Sequence, residues 1–189
     1  MGKLKDYITA NSVVLSNKAL DVSNFLNMQV DPKLMQEIGE NFATYYSNYN
    51  FDAFITVEAS GIAPSIMASL YLKKPLIIIK KMYKTTDTKL QQPCFSFTKN
   101  QKYYLTVDEK FIKNKKLVLI DDFLAEGNVV INVEKLLKKT NAELVSTGII
   151  ISKNFQNGYK YLKDAGKDIY CLVELETLDP KTQEIIFAK

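Results

Sequence analysis

Apolar positions fall into two kinds of stretch along the chain, continuous runs and helically spaced sets, and the two kinds alternate. Leu34, Met35, Ile38, Phe42, Tyr45, Tyr46 and Tyr49 recur at helical spacing behind Asp31-Pro32. That pair reads as a helix start, with the aspartate as cap and the proline in the first turn. Ala53–Val57 is a short apolar run, followed by Glu58-Ala59-Ser60-Gly61 and a short helix that contains Pro64 and ends near Leu72. Residues 75–79 form a continuous apolar run, and 116–120 and 144–151 are largely apolar, as strands buried on both faces are. Residues 82–92 are polar, rich in lysine and without periodicity, which predicts a long mobile loop. Residues 94–98 and 103–107 alternate like the arms of a hairpin. A turn after Ile120 leads into a helix through about Lys139, and Asn157-Gly158 turns into a short helix ending at Gly166. Residues 169–175 and 185–187 close the set.

Buried strands alternating with helices imply an α/β fold with a mostly parallel sheet flanked by helices. Ligands of such sheets bind at the carboxyl ends of the strands. The residues to watch are therefore Glu58 to Gly61, Lys80-Lys81, Asp121-Asp122 onward, and Ser152-Lys153. No repeat or Pro/Gly-rich linker interrupts the 189 residues, so the chain reads as one domain, 1–189.

Composition narrows the chemistry. The chain has no histidine and no arginine, so all 25 basic residues are lysine, against 21 acidic ones. Imidazole general bases, Ser-His-Asp machinery and His-ligated metals are excluded. Anions must be held by lysine ammonium groups, backbone N–H groups and hydroxyls. A net charge of +4, spread along the chain, suits small anions better than a nucleic acid, which calls for a concentrated basic stripe. Cys94 and Cys171 stand far apart, outside any CxxC pair, and read as reduced thiols. No signal-like segment and no apolar run of about 20 residues is present, so the expectation is a cytoplasmic protein without a membrane segment.

The densest chemical signal is the run from Leu117 to Val129, where four apolar residues deliver Asp121-Asp122 and then Phe123-Leu124-Ala125-Glu126-Gly127-Asn128-Val129. A helix opening after Gly127 would offer free N–H groups and a positive dipole end to a phosphate. The paired carboxylates suit a vicinal diol, a hydrated Mg²⁺, or both. An acidic pair at a strand end equally well caps a turn and meets solvent. Walker A and dinucleotide-binding glycine patterns are absent.

This run resembles the phosphoribosyl-diphosphate signature of the type I phosphoribosyltransferases. Further blocks, in the same order over almost the whole chain, resemble the bacterial xanthine phosphoribosyltransferases within that family. These are Val13-Val14-Leu15-Ser16, Phe25-Leu26-Asn27, Asp31 to Met35, Glu58 to Pro64, Phe95 to Lys99, Asp121 to Ala125, and Lys153-Asn154-Phe155-Gln156. The resemblance implies a type I fold with a small hood over the base site, from about residues 1–30 and the C-terminal strands. It implies transfer of a phosphoribosyl group from the diphosphate to a purine base, with Mg²⁺ carried by the diphosphate, in a homodimer.

By the same resemblance, Leu20, Asn27 and Lys153 contact the base, and Ala125, Glu126, Gly127, Asn128 and Val129 cradle the 5′-phosphate. Asp121 and Asp122 hold the ribose, and Ala59, Ser60, Gly61 and Lys81 contact the pyrophosphate. These roles suit the residue types: a lysine can donate to a purine carbonyl, and Asn27 can both donate and accept. Phe155 either stacks on the base or belongs to the core. The 82–92 loop would fold over the reacting centre and exclude water.

Three departures bear on specificity. Glu126 stands where relatives carry Asn, Ser152 where they often carry Glu, and Val129 where a smaller residue is usual. A carboxylate 4 Å from a phosphate is repelled by about 4 kcal/mol at an effective dielectric of 20. Ala125 stands where hypoxanthine-guanine enzymes carry an aspartate near the base, which resembles the xanthine group, with hypoxanthine or guanine as the alternative substrate. Two other readings remain: a sensor module that binds phosphoribosyl diphosphate without turnover, and a phosphoacceptor receiver domain. The receiver would need its acid pair after the first strand, much earlier than here.

Overall fold

A computed structural model describes residues 2–96 and 100–188. The chain opens with α1 (Gly2–Asn11), a two-stranded hairpin of β1 (Val13–Ser16) and β2 (Ala19–Asp21), and a π-helical turn at Ser23–Asn27. α2 (Pro32–Tyr46), β3 (Ala53–Val57), α3 (Ile62–Leu72) and β4 (Leu76–Met82) follow. Next come β5 (Leu90–Ser96), β6 (Gln101–Val107), the short α4 (Glu109–Ile112), β7 (Lys116–Leu124) and α5 (Asn128–Lys138). β8 (Glu143–Lys153), α6 (Gly158–Asp164), β9 (Ile169–Asp179) and β10 (Glu184–Phe187) complete it.

Among the described residues the large sheet has eight strands in the order β10-β9-β8-β7-β3-β4-β6-β5. β4, β3, β7, β8 and β9 run parallel, while β10 at one margin and β6 at the other run against them, and β5 pairs antiparallel with β6. The expected parallel α/β sheet with flanking helices is therefore present, with antiparallel strands confined to the margins.

Alternation along the central strands sorts their side chains into two cores. Phe54, Val118 and Ile120 pack with Leu34, Ile38, Phe42 and Tyr46 of α2. Their neighbours Ile55, Leu117 and Leu119 pack with Val130, Val133 and Leu136 of α5 and Leu162 of α6 on the opposite face. Truncating a buried aromatic such as Phe42 to alanine costs about 3–5 kcal/mol. Asp31 caps α2 as expected: its Oδ1 accepts from the N–H groups of Lys33 and Leu34 at 2.9 and 3.0 Å. Its Oδ2 accepts from the Tyr7 hydroxyl at 2.8 Å and so ties α1 to α2. Such a cap contributes about 1 kcal/mol.

The two ends of the chain meet. The Gln183 amide accepts from the Val14 N–H at 2.9 Å and donates to the Val14 carbonyl at 3.1 Å. Lys5 donates to the Ala188 carbonyl at 3.2 Å. The N-terminal hairpin is thereby braced on the β9–β10 hairpin.

Two expectations need correction. β4 reaches Met82 and β5 begins at Leu90, so the stretch outside strands is 83–89 rather than 82–92. Leu90 to Ser96 are strand because each pairs with β6, from Leu90↔Val107 to Ser96↔Gln101. The Gln91 amide also donates to the Thr106 hydroxyl at 3.0 Å. Cross-strand partners supply what the polar segment lacks in periodicity. β7 likewise runs past Ile120, so Asp121 and Asp122 lie within the strand rather than after it. Phe97, Thr98 and Lys99, part of the Phe95-to-Lys99 block and of the expected hairpin, lie outside the described residues.

Candidate active site

A cavity of about 650 Å³ opens where β4, β7 and β8 end, and Lys81, Phe123, Lys153 and the 125–129 loop line it. The 125–129 loop connects β7 to α5. Gly127 precedes the helix at φ 77°, a left-handed conformation that glycine adopts at low cost, and no side chain caps α5. The first-turn N–H groups of α5 are therefore available to an anion. The loop is braced from behind: the Gly158 N–H donates to the Ala125 carbonyl at 3.0 Å. Glu126 is exposed on the cavity wall.

Asp121 is 7% exposed and Asp122 half-buried, and neither lines the cavity directly. Asp121 Oδ1 accepts from the Asp122 N–H at 3.0 Å, and Asp122 Oδ1 accepts from the Phe123 N–H at 2.9 Å. Burial, reinforced by the adjacent Asp122 charge, pushes the Asp121 carboxyl well above the usual carboxylate range, with Lys81 opposing. The Glu58-to-Gly61 segment abuts this pair. A Cβ at Gly61 would collide with the Thr56 hydroxyl and lie 3.3 Å from Asp121 Oδ1, so glycine permits the close approach. The Glu58–Ala59 peptide bond is cis.

At the far wall Lys153 rises from the end of β8. Its ammonium donates to the Lys18 carbonyl at 2.9 Å and sits 4.7 Å from the centroid of the Phe123 ring. Burial lowers its pKa, and the Asp122 charge pulls the other way. Phe123 lines the cavity, as do Tyr83, Phe95 and Tyr103. Phe155 is partly buried, packs against the core and does not line this cavity. Ser152 is fully buried, and its hydroxyl donates to Asn154 Oδ1 at 2.6 Å.

The structure thus gathers Lys81, Lys153 and Ala125 to Val129 around one cavity, with Asp121, Asp122 and Gly61 behind it. Leu20 is buried in β2, and Asn27 is exposed at the end of the π-helical turn; neither lines the cavity, although Lys18 and Ala19 of the same hairpin do. Tyr103 on β6 is a lining residue that the sequence reading missed. Burial, with Cys94 and Asp121 nearby, pushes its hydroxyl up to about 12. Its direction depends on strand pairing, so no local pattern marks it. Phe123 had a local signal, its place directly after the acid pair.

Neither thiol is poised for chemistry: burial raises Cys94 and pushes Cys171 up to about 12. The described residues contain no group of three or more His, Cys, Asp or Glu side chains able to hold a metal. No helix among them is long and apolar enough to cross a membrane.

The phosphoribosyl transferase domain family matches residues 27–177 of the chain. Xanthine phosphoribosyltransferase 1 of Clostridium botulinum (strain Hall) is 38% identical over 189 residues, covering 98% of this chain and 100% of that protein. The xanthine phosphoribosyltransferase of Clostridium acetobutylicum is 40% identical over 181 residues, covering 94% and 96%. Among solved structures, adenine phosphoribosyltransferase from Trypanosoma brucei in complex with AMP, pyrophosphate and ribose-5-phosphate superposes with a TM-score of 0.73 at 19% identity. That match covers 90% of this chain and 79% of the other. The enzyme from Rhodothermus marinus also gives 0.73, at 14% identity, over 93% and 100%. At these identities the structural matches speak for the fold alone.

Proposed function

The chain belongs to the phosphoribosyltransferase family, and on that premise we propose that it converts xanthine and 5-phosphoribosyl 1-diphosphate to xanthosine monophosphate and pyrophosphate, as a purine-salvage enzyme. The observation that carries this reading is the near end-to-end match at 38–40% identity to xanthine phosphoribosyltransferases.

In the transfer, the bond from the anomeric carbon to the diphosphate oxygen breaks, and the electron pair leaves with pyrophosphate. The base nitrogen supplies the pair that forms the new C–N bond and releases its proton. The carbon between them is oxocarbenium-like, so the site must position and neutralise charge more than abstract a proton. That demand suits a chain without histidine. Loop amides of 126–129 and the α5 N-terminus receive the 5′-phosphate. Asp121 and Asp122 hold the ribose hydroxyls beside the developing cation. Lys81 and the Ala59-Ser60-Gly61 loop take the leaving pyrophosphate. Lys153 donates to a base carbonyl above Phe123, with Leu20 and Asn27 on the hood side. Mg²⁺ carried by the diphosphate would offset its charge, held through the diphosphate rather than directly by side chains of the protein. Residues 1–189 act as one domain, and the 83–89 segment closes over the centre.

The proposed assembly is a cytoplasmic homodimer, for which the exposed Ile66, Leu70 and Tyr71 of α3 offer an apolar face. Conversion of isotopically labelled xanthine to its nucleotide tests the activity. Asp122→Asn is expected to lower turnover at least about tenfold, and wild-type turnover in that variant removes the ribose assignment. Glu126 on the cavity wall favours a second reading, a sensor that binds phosphoribosyl diphosphate without product. Tight binding with no labelled nucleotide would establish it. Parallel kinetics with hypoxanthine and guanine test base preference, and xanthine as the poorest substrate would overturn the choice of purine.

A further inference from the structure

β4 runs past the end of β3. Their parallel ladder closes at Val57↔Ile79, and the Glu58 N–H adds one more bond, to the Ile79 carbonyl at 3.1 Å. In a strand, successive N–H groups point to opposite edges. Ile79 faces β3, Lys80 faces β6 through its pairing with Thr106, and Lys81 faces the β3 side again, where no strand remains. The Glu58 side chain occupies that gap. Its Oε1 accepts from the Lys81 N–H at 2.7 Å, and its Oε2 pairs with the Lys80 ammonium at 2.8 Å. Burial would raise the Glu58 carboxyl, but Lys80 and the Lys81 amide outweigh it and hold it below the usual range, so it is ionised at neutral pH.

Side chains also alternate, so adjacent lysines leave the strand on opposite faces, and Lys81 lines the cavity whereas Lys80 does not. We propose that Glu58 is a positioning residue: its carboxylate pins the Lys81 backbone and occupies the Lys80 charge, so that Lys81, and not Lys80, presents its ammonium to the leaving diphosphate. Because Glu58 also begins the Ala59-Ser60-Gly61 segment, one side chain sets both halves of that subsite. The inference rests on the assignment of Lys81 to the pyrophosphate made above.

A double-mutant cycle on kcat/KM for phosphoribosyl diphosphate separates positioning from a general structural role. Glu58→Ala should lower it roughly 20-fold, since small displacements of a reacting group are costly. In a Lys81→Ala background the same change should cost less than about twofold, because the group it positions is gone. Glu58→Gln, whose amide oxygen can still accept the Lys81 N–H, should lose only about threefold, and KM for xanthine should hold within about twofold in both Glu58 variants. Equal losses in both backgrounds, or none in Glu58→Ala, overturn the proposal. If Lys81→Ala is impaired and Glu58→Ala is not, only the Glu58 role fails. If Lys81→Ala is as active as the wild type, the Lys81 assignment fails and takes the Glu58 role with it. Should Glu58→Ala not fold, the Glu58→Gln and Lys81→Ala cycle reads the same coupling.

Discussion

Lys81 and Lys153 both stand at the carboxyl end of a parallel strand and both line the same cavity, yet their surroundings make them different reagents. Lys81 is exposed, and its backbone, rather than its ammonium, is held, through Glu58. Lys153 has its ammonium held, by the Lys18 carbonyl and the face of Phe123, and burial weakens its hold on the proton. A cation over an aromatic face gains about 0.5–2 kcal/mol, more as water is excluded. The first arrangement suits a multiply charged leaving group that moves away during reaction. The second suits a fixed carbonyl on a planar base. Residue type and strand-end position are the same in both; the neighbours divide the labour.

That contrast can be broken by experiment. The largest effect expected is from Lys81→Ala, which should lower kcat/KM for phosphoribosyl diphosphate roughly 100-fold while KM for xanthine changes less than about twofold. Steady-state kinetics with each substrate varied would show it, and equal damage to both substrates would erase the distinction. Lys153→Met should do the converse, raising KM for xanthine roughly 30-fold through loss of a charged hydrogen bond.

A pH profile sharpens the point. Burial lowers the Lys153 pKa, so its ammonium is lost as pH rises, starting below the ordinary lysine range near about 10.4. kcat/KM for xanthine should therefore fall on the alkaline side severalfold. The Lys81→Ala enzyme should keep that limb and Lys153→Met should lack it; the same limb in both variants would assign it elsewhere. The smallest change is expected from Glu126→Asn, which removes an exposed carboxylate from the phosphate loop. KM for phosphoribosyl diphosphate should drop about three- to fivefold at low salt and less at high salt, as screened repulsion requires. A rise instead would mean that Glu126 assists binding.

Legibility in the sequence followed the source of each element's order. Ala53–Val57 and Leu117 to Ile120 are apolar because both faces of the sheet are covered, and such runs are visible without any partner. The Asp31 cap was visible because its bonds reach only two and three residues ahead. The first half of β5 was not visible: Gln91, Gln92 and Pro93 form strand because β6 lies beside them, at an outer position of the sheet where proline is tolerated. The N-terminal hairpin was equally hidden, since Gln183, 169 residues away, braces it. At the site, the acid pair and the 125–129 loop are contiguous and could be read directly. Phe123, Tyr103 and Lys18 join the cavity from three separate parts of the chain, and Phe155 packs against the core.

By itself the sequence determined the alternating α/β order, the exclusion of imidazole and guanidinium chemistry, and the carboxylate pair leading into an uncapped helix. Each of those depends on residue type and on spacing of a few positions. Only the tertiary structure decided which lysine is held by its backbone and which by its ammonium, that Phe123 lines the cavity, and that the Glu58 carboxylate binds at the end of β4. Those outcomes depend on where one strand ends beside another and on what fills the gap, and no stretch of consecutive residues carries that information.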